Sequence, residues 1–302
     1  MPKHSGGYHP AYHGQYVDPN FPDRYTRNLI RTKEDMIPLV RQYMGMEEKI
    51  FSFDFESSGL DIEMNSEVCG ASFCFDGYNS YYLPIDHKLG ENGDMYAFAL
   101  IIGMVYAADD ALVFNAEFEY RCLRSLGYDI KDLLLFDLIP LIWNADTNVT
   151  RLNLKGAEKD ILAWDRPDFV ETFGKGITPD MVTPEETYDY AGFDAISPFL
   201  FYHMFSKTRE DRKNIIELDQ KLIKAVISIE DFVFEADVDL LKEYRIDVVN
   251  QIEDQTQTIY QAVGYEFNIN SRPQLSDALE KMGIDSSWSA KQLKTFLREG
   301  KL

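Results

Sequence analysis

The chain has 302 residues, 45% of them hydrophobic and 27% charged, a composition that is ordinary for a globular protein and excludes a mostly disordered or fibrous one. Its 51 Asp and Glu residues outnumber the 30 Lys and Arg residues, and the formal net charge of -21 argues against a free-standing protein that binds DNA through a broad basic face. The same balance is compatible with clustered carboxylates that hold metal ions, or with a basic partner that holds nucleic acid, and the length favours about two domains.

The first 28 residues are rich in Gly, His, Tyr and Pro. We expect residues 1–28 to form an N-terminal arm that is solvated or bound to a partner; a metal-binding tail is the alternative, although no carboxylate or cysteine lies at ligand spacing. The arm lacks the apolar stretch of a signal peptide, and no run of 18 uncharged apolar residues predicts a membrane span. Cys69, Cys74 and Cys122 are expected to be buried thiols in a reducing compartment.

Hydrophobic periodicity predicts an α/β fold between the arm and about residue 205. Three strands joined by short turns form an antiparallel meander, and the pattern then switches to strand–helix–strand units, which require a parallel crossover. The result is a mixed sheet with helices on both faces. The predicted strands are 50–55, 68–75, 80–85, 111–114 and 133–136, and the helices among them are 33–43, 94–106 and 117–126.

Charge rises and strand signals vanish after about residue 207. Residues 215–232 are predicted to form one long helix, and a short turn leads to a second, in which apolar residues recur at helical spacing behind Asp237 as a plausible N-cap. Two long helices joined by a short turn pack antiparallel. The predicted organisation is therefore an arm (1–28), an α/β domain (29–206) and a helical segment (207–302).

Two acidic residues close the first predicted strand. Asp54 and Glu56 are two residues apart, and because strand side chains alternate, both point to the same face of the sheet. Their neighbours Phe53 and Phe55 are apolar, so two carboxylates on one face are costly unless a cation lies between them. The spacing favours a metal site, although a D-x-E pair alone is common in an acidic chain.

Two further pairs follow along the chain. Asn115 and Glu119 lie where the strand ending at Phe114 enters a helix, and an acidic residue in that first turn also stabilises the helix dipole. Tyr190 and Asp194 are four residues apart, which places them on one helix face. An ordinary Tyr–Asp pair on a helix surface is the alternative.

Taken in this order, the three pairs resemble the motifs of the proofreading 3'–5' exonuclease domain of DNA polymerases, the tyrosine variant of the ribonuclease-H-like exonucleases. That family carries D-x-E in the first strand, N-x-x-x-D before the second helix and Y-x-x-x-D in a late helix. Residues 53–60 (FDFESSGL) match the first motif and residues 190–195 (YAGFDA) the third. The second departs, since Glu119 stands at the family's aspartate and Phe114 at a frequent histidine. The resemblance covers about residues 45–205 and implies the ribonuclease-H-like fold.

A second resemblance covers about residues 215–284. The stretches IEDFVFEADVDLLKE and YEFNINSRPQLSDALEKMGI are similar to the start of the polymerase region in family A DNA polymerases, where they form the base and long helices of the thumb. Ser271 is predicted to cap the helix that follows it, with Gln274 as its capping-box partner. Because no segment resembles the palm or fingers, we expect a split, phage-type polymerase whose remaining part is a separate chain, or a piece of a longer polymerase.

The exonuclease resemblance implies a metal-dependent 3'–5' exodeoxyribonuclease that removes 3'-terminal nucleotides from single-stranded or frayed DNA. It implies two divalent metal ions, Mg²⁺ or Mn²⁺, which prefer hard oxygen ligands. Asp54 would bridge the two ions, and Glu56 and Asp194 would complete the first site. Glu119 would hold the second ion through water.

The same resemblance gives roles to three further residues. Tyr190 would orient the attacking water, because a phenol with a pKa of about 10 is a poor base at pH 7. Leu60 would wedge against the terminal base, and Asn115 would position Glu119 or the terminal nucleotide. One added methylene moves the Glu119 carboxylate by about 1.3 Å relative to an aspartate, more than a metal site tolerates, so weakened activity or Mn²⁺ dependence is expected. Glu117, in the same turn, is the alternative ligand.

Two other functions remain open at this stage. A catalytically weakened or inactive exonuclease fold would act as a scaffold for a separate polymerase chain, which the substitution at position 119 and the acidic charge favour. A stand-alone ribonuclease is disfavoured by the thumb-like segment and by the lack of an extra basic RNA-binding region. The expected partners are the single-stranded 3' end of DNA and the polymerase chain, without a membrane, in the cytoplasm of a bacterium or a phage-infected host cell.

Overall fold

The computed structural model describes residues 23–62, 65–149, 151–230 and 235–285. The strands within these residues are β1 (Thr26–Leu29), β2 (Ile50–Ser57), β3 (Val68–Cys74), β4 (Asn79–Pro84), β5 (Asp110–Val113) and β6 (Leu135–Asp137). The helices are α1 (Lys33–Met44), α2 (Met95–Ala107), α3 (Ala116–Ser125), α4 (Leu138–Ala145), α5 (Leu154–Ala157), α6 (Phe169–Phe173), α7 (Pro184–Met204), α8 (Ser206–Asp211), α9 (Lys213–Glu230), α10 (Val238–Val263) and α11 (Arg272–Lys281). A π-helical turn, Glu158–Leu162, follows α5, and a 3₁₀ turn, Pro179–Met181, precedes α7.

The strands form one sheet in the order β1-β4-β3-β2-β5-β6. β2, β3 and β4 are the antiparallel meander, β5 and β6 run parallel to β2, and helices connect them. This mixed sheet confirms the predicted α/β, ribonuclease-H-like fold class. The pairing between β2 and β3 becomes irregular directly after Glu56, a position where a bulge can redirect the chain.

β1 was not predicted. It pairs in parallel with the edge of β4 and falls at the end of the segment expected to be an arm; the rest of that segment, residues 1–22, lies outside the described residues. Its sequence, TRNL, has no period-two pattern, and the strand is held instead by tertiary contacts. The Arg27 guanidinium pairs with Asp189 at 2.7 Å, and the Asn28 amide donates to the Ser80 carbonyl at 3.0 Å.

Helices pack on both faces of the sheet, and each face has its own apolar core. Phe51, Phe53 and Phe55 of β2 pack into a core with residues of α1, α2 and α3. The opposite core contains residues of α4 and α7. Asp54 and Glu56, which alternate with the phenylalanines, therefore face the α7 side.

α7 lies unusually close to the sheet at Gly192. A Cβ atom at this position would lie 2.5 Å from both the Cγ of Arg27 and the Oγ of Ser80, which is closer than atoms can approach. Gly192 therefore lets α7 pack directly on β1 and β4, within the helix segment that also carries Tyr190 and Asp194.

The chain divides into two compact units, the first extending through α9 and the second carrying α10 and α11. The first unit thus continues past the expected boundary at residue 206. α9 packs against α3, α4 and β6, and its Gln220 side chain bonds both the N–H and the carbonyl of Asp137, each at 2.8 Å. In the second unit Asp237 caps α10 as predicted, through the Leu240 N–H at 2.9 Å.

Three smaller expectations have clear outcomes. Cys69, Cys74 and Cys122 are buried and unpaired, as predicted. Ser271 stands at the N-cap of α11, but the predicted capping box is wrong: its side chain makes no cap hydrogen bond, and the Gln274 side chain accepts from the Asn268 N–H at 2.8 Å instead. Within the described residues, none of the helices combines the length and apolarity needed to cross a bilayer.

Candidate active site

Three of the predicted carboxylates converge between β2 and α7. One oxygen from each of Asp54, Glu56 and Asp194 lies within 4.8 Å of the others. The strand contributes the first two because its alternation points them toward α7, and the helix contributes the third from directly above. Three acid groups this close are the donor set that a hard divalent cation requires.

The three acids differ in their affinity for protons. Burial, together with the charges of Glu56 and Asp194, raises the pKa of Asp54 well above its ordinary value. Burial and Asp194 raise the pKa of Glu56 to about 7. Burial also opposes ionisation of Asp194, but Lys155 and Arg166 beside it outweigh that cost and hold its pKa below the ordinary value. Asp194 is therefore the ionised member at neutral pH, and the strand acids Asp54 and Glu56 keep protons to higher pH than ordinary carboxyl groups do.

Glu119 lies near this cluster but is not part of it. Its side chain is only 1% exposed, and its Oε2 has no hydrogen-bond partner among the described residues. Burial and the charge of Asp54 raise its pKa well above the ordinary value. A buried carboxylate oxygen without a partner is costly, and a proton or a cation would satisfy it. Glu117, the alternative ligand, is engaged elsewhere, since it pairs with Arg121 at 3.1 Å.

Tyr190 stands at the edge of the acid cluster. Phe169 and Phe173 pack edge-on against its ring, with centroids 5.5 and 5.9 Å away, and the Lys155 ammonium lies 4.6 Å from the ring centroid. Burial, followed by the charges of Asp194 and Glu56, raises the pKa of Tyr190 above that of an ordinary phenol. The hydroxyl therefore keeps its proton at neutral pH and can donate a hydrogen bond.

Asn115 and Leu60 are surface residues. Asn115 is exposed at the start of α3 with a left-handed backbone (φ 76°), and its side chain does not cap the helix. Its N–H donates to Asp137 at 3.2 Å, and its side chain borders a groove of about 560 Å³ that Trp143 and Leu222 also line. Leu60 is 87% exposed beyond the end of β2. Both side chains are accessible to a ligand, and within the part of the chain that the structure describes no hydrogen bond joins either of them to the acid cluster.

Sequence reasoning missed two cationic residues, Lys155 and Arg166. Both donate hydrogen bonds to the same oxygen, Oδ1 of Asp194. Arg166 also bonds Glu158 through two nitrogens, at 3.1 and 2.6 Å, and the Tyr190 carbonyl at 3.2 Å. No motif marks these cations in the sequence, and the π-helical turn that contains Glu158 breaks the 3.6-residue period on which a prediction would depend.

Comparison with known proteins points to DNA polymerases. No family model matches the chain. It is 25% identical over 264 residues to DNA polymerase I of Borreliella burgdorferi and 23% identical over 296 residues to that of Synechocystis, covering 84% and 89% of this chain. The chain spans about 28% of the length of each of these relatives. These similarities confirm the resemblance to DNA polymerases predicted from the motifs.

A solved structure shares the fold over most of the chain. The POL domain of Pol1 from M. smegmatis, in complex with a DNA primer-template and dNTP, superposes with a TM-score of 0.59. The match covers 91% of this chain and 46% of the other, at 11% sequence identity. At that identity the likeness concerns the fold and carries no residue roles.

Proposed function

We propose that this chain is the 3'–5' exonuclease part of a DNA polymerase, which removes 3'-terminal nucleotides from single-stranded or frayed DNA. The observation that carries the proposal is the convergence of Asp54, Glu56 and Asp194 within 4.8 Å, with Tyr190 beside them. Similarity to two bacterial DNA polymerases supports the assignment to nucleic-acid chemistry. In the proposed division, residues 29–206 carry the nuclease and residues 207–302 the thumb-like segment.

Two divalent ions, Mg²⁺ or Mn²⁺, fit the acid groups. Asp54 would contribute to both sites, Glu56 and Asp194 to the first, and Glu119 to the second. The unpartnered Oε2 of Glu119 and the raised pKa values of Asp54 and Glu119 support this set, because each marks a buried carboxyl group whose negative charge the surrounding side chains do not fully offset. When bound, the ions supply a water of lowered pKa and stabilise the charge that develops on the phosphate.

The chain's own residues would position the reactants. The Tyr190 hydroxyl stays protonated and orients the attacking water, while Arg166 fixes the backbone of the same helical turn through the Tyr190 carbonyl. Leu60 would wedge against the terminal base, and Asn115 would contact the terminal nucleotide. A site that accepts one unpaired strand favours frayed ends, since unpairing costs least at a mismatch.

We further propose a separate polymerase chain, carrying palm and fingers, as the protein partner. α10 has no buried residue in the described chain, and Leu241, Tyr244, Val248 and Ile252 form an exposed apolar stripe along it. An exposed stripe of this kind favours a protein contact. Purification with native partners tests this: a co-purifying chain with palm motifs supports it, and a monomeric native protein contradicts it.

The second candidate is a scaffold without catalysis. It is favoured by one observation: Lys155 and Arg166 already offset the charge of Asp194, so the site does not need an ion for that acid to stay ionised. A scaffold would bind no Mn²⁺ at micromolar concentration and would not shorten DNA.

The test is trimming of a 5'-labelled single-stranded DNA in Mg²⁺ or Mn²⁺. A ladder that shortens from the 3' end, lost in Asp54→Asn, is the expected result. Glu119→Gln and Glu117→Gln form a matched pair: the first is expected to lose most activity and the second to keep it. Full trimming by Asp54→Asn would exclude the proposed site, and equal rates on RNA would favour the ribonuclease alternative.

A further inference from the structure

On the premise of the proposed exonuclease, we infer that Lys155 is a built-in counter-ion that shares Asp194 with the incoming metal. Before an ion binds, the Lys155 ammonium holds the Asp194 carboxylate. When an ion binds there, the ammonium leaves Asp194 and binds a phosphate oxygen of the nucleic-acid substrate. Lys155 would thus hold the site together when it is empty and hold the substrate when it is loaded.

The contacts of Lys155 are confined to the proposed site. Its ammonium donates to Asp194 Oδ1 and lies 4.6 Å from the centroid of the Tyr190 ring. No further hydrogen bond of this ammonium occurs among the described residues. Its side chain is 21% exposed, so part of this side chain reaches solvent.

Arg166 bonds the same oxygen but cannot take this role. Its side chain is 8% exposed, and besides Asp194 it bonds Glu158 twice and the Tyr190 carbonyl once. Glu158 is itself fully buried and accepts from Ser197 at 2.6 Å. Removing this guanidinium would leave a buried carboxylate unpaired, at a cost that a surface-facing lysine does not incur. Of the two cations, Lys155 is therefore the one that can move.

The charges around Asp194 favour such an exchange. Arg166 is shared between Asp194 and Glu158, whereas Lys155 pairs with Asp194 and also lowers the pKa of Asp54 and Glu56 through its charge. The Lys155 ammonium and the Arg166 guanidinium both donate to Oδ1 of Asp194. Because the ammonium is positively charged, it repels a divalent ion that approaches the same carboxylate. A lysine has a long flexible stem and a compact charge, which lets it leave one anion for another nearby. The anion that reaches a loaded nuclease site is a phosphodiester.

Calorimetric titration of Mn²⁺ into the full chain tests the exchange. Lys155→Gln removes the competing charge and is expected to bind Mn²⁺ about tenfold more tightly than the unmodified chain. Lys155→Arg keeps the charge and is expected to bind like the unmodified chain. Lys159→Gln is the matched control, because the ammonium of this neighbouring lysine pairs with the exposed Asp165 outside the acid cluster. Equal or weaker Mn²⁺ binding by Lys155→Gln would overturn the inference.

Binding of a single-stranded oligonucleotide with a hydrolysis-resistant 3'-phosphorothioate linkage supplies the second readout. In Mn²⁺, Lys155→Gln is expected to bind it several-fold more weakly, with a salt dependence reduced by about one phosphate contact. In EDTA, the same variant should match the unmodified chain, since Lys155 is then engaged with Asp194. An equal loss under both conditions contradicts the exchange.

The outcomes also separate the inference from its premise. If the unmodified chain binds Mn²⁺ and Lys155→Gln gives the same affinity, the inference fails and the exonuclease proposal stands. If no variant binds Mn²⁺, both fail. A cooperative thermal transition in each variant shows that the comparison is between folded proteins. Lys155→Met, which also removes the charge, takes the place of Lys155→Gln if that variant does not fold.

Discussion

Replacing Asp54 by Asn is expected to stabilise the protein in the absence of metal ions, although it removes a proposed metal ligand. The acid oxygens lie within 4.8 Å of one another, and two like charges at that upper limit repel by about 3.5 kcal/mol at an effective dielectric constant of about 20. Attraction between Asp54 and Lys155 offsets part of this repulsion, so we expect a gain of about 2 kcal/mol when Asp54 is ionised. A gain of that size raises Tm by roughly 4–8 °C.

The gain should depend on pH, with a definite sign. The folded-state pKa of Asp54 lies above its ordinary value, so ionisation of this group destabilises the fold as pH rises through that raised pKa. The loss of stability begins above the ordinary aspartate pKa of about 4, because the unfolded chain releases the proton there while the folded chain keeps it. At about pH 4 both states still bind the proton in large part, and Asp54→Asn should change Tm little. At pH 9 the unfolded chain has released the proton, and the folded chain either retains it at a cost or ionises beside Glu56 and Asp194, so the difference in Tm should be large. Thermal unfolding in EDTA at the two pH values measures both quantities.

Asp180→Asn is the matched control for this experiment. Asp180 is also a buried aspartate, but it pairs with Lys88 and accepts a hydrogen bond from Thr178, and these contacts hold its pKa below the ordinary value despite burial. Its loss should therefore lower Tm at both pH values. If Asp54→Asn lowers Tm at pH 9 as Asp180→Asn does, the acids do not repel one another and the reasoning about the site is refuted.

Three further measurements address other parts of the site. Burial and Asp194 raise the pKa of Glu56 to about 7, so Mn²⁺ must displace a proton from this residue below that pH. The association constant of Mn²⁺, measured by calorimetry, should therefore rise about tenfold per pH unit from 5.5 to 7. An association constant that does not change with pH would contradict this. Glu119→Asp restores the family's shorter acid and should raise the Mg²⁺-supported rate about tenfold, whereas an unchanged rate would mean that side-chain length is not limiting. Gly192→Ala should destabilise the fold by about 1–3 kcal/mol and reduce trimming, because α7 must move away from the sheet; unchanged activity and Tm would show that Arg27 gives way instead.

The parts of the site that follow a simple period could be predicted from the sequence. Asp54 and Glu56 share a face because a strand alternates strictly, and the buried phenylalanines that alternate with them, Phe53 and Phe55, fix which face that is. Tyr190 and Asp194 share a face because a helix repeats every 3.6 residues. Local geometry of this kind depends on a few neighbouring residues, so it can be predicted from the amino-acid sequence alone.

The parts that depend on distant contacts could not be predicted. β1 is a four-residue strand whose partner, β4, lies more than 50 residues away. Lys155 and Arg166 reach Asp194 only because a π-helical turn and the packing of α7 bring three segments together. The Gln274 side chain accepts a hydrogen bond from the Asn268 N–H and so does not complete a capping box. The loop before α11 brings this N–H close to the Gln274 side chain, which the sequence alone does not reveal.

The close approach at Gly192 has a consequence for how such chains are recognised. A chain could keep every acid of the D-x-E and Y-x-x-x-D patterns, acquire a single methyl group between the tyrosine and the aspartate, and lose the alignment of its ligands. A motif search scores only the side chains that are present, and it would classify that chain as able to bind metal ions. A search for chains with an intact acid cluster should therefore require the glycine of Y-x-G-x-D as strictly as it requires the acids.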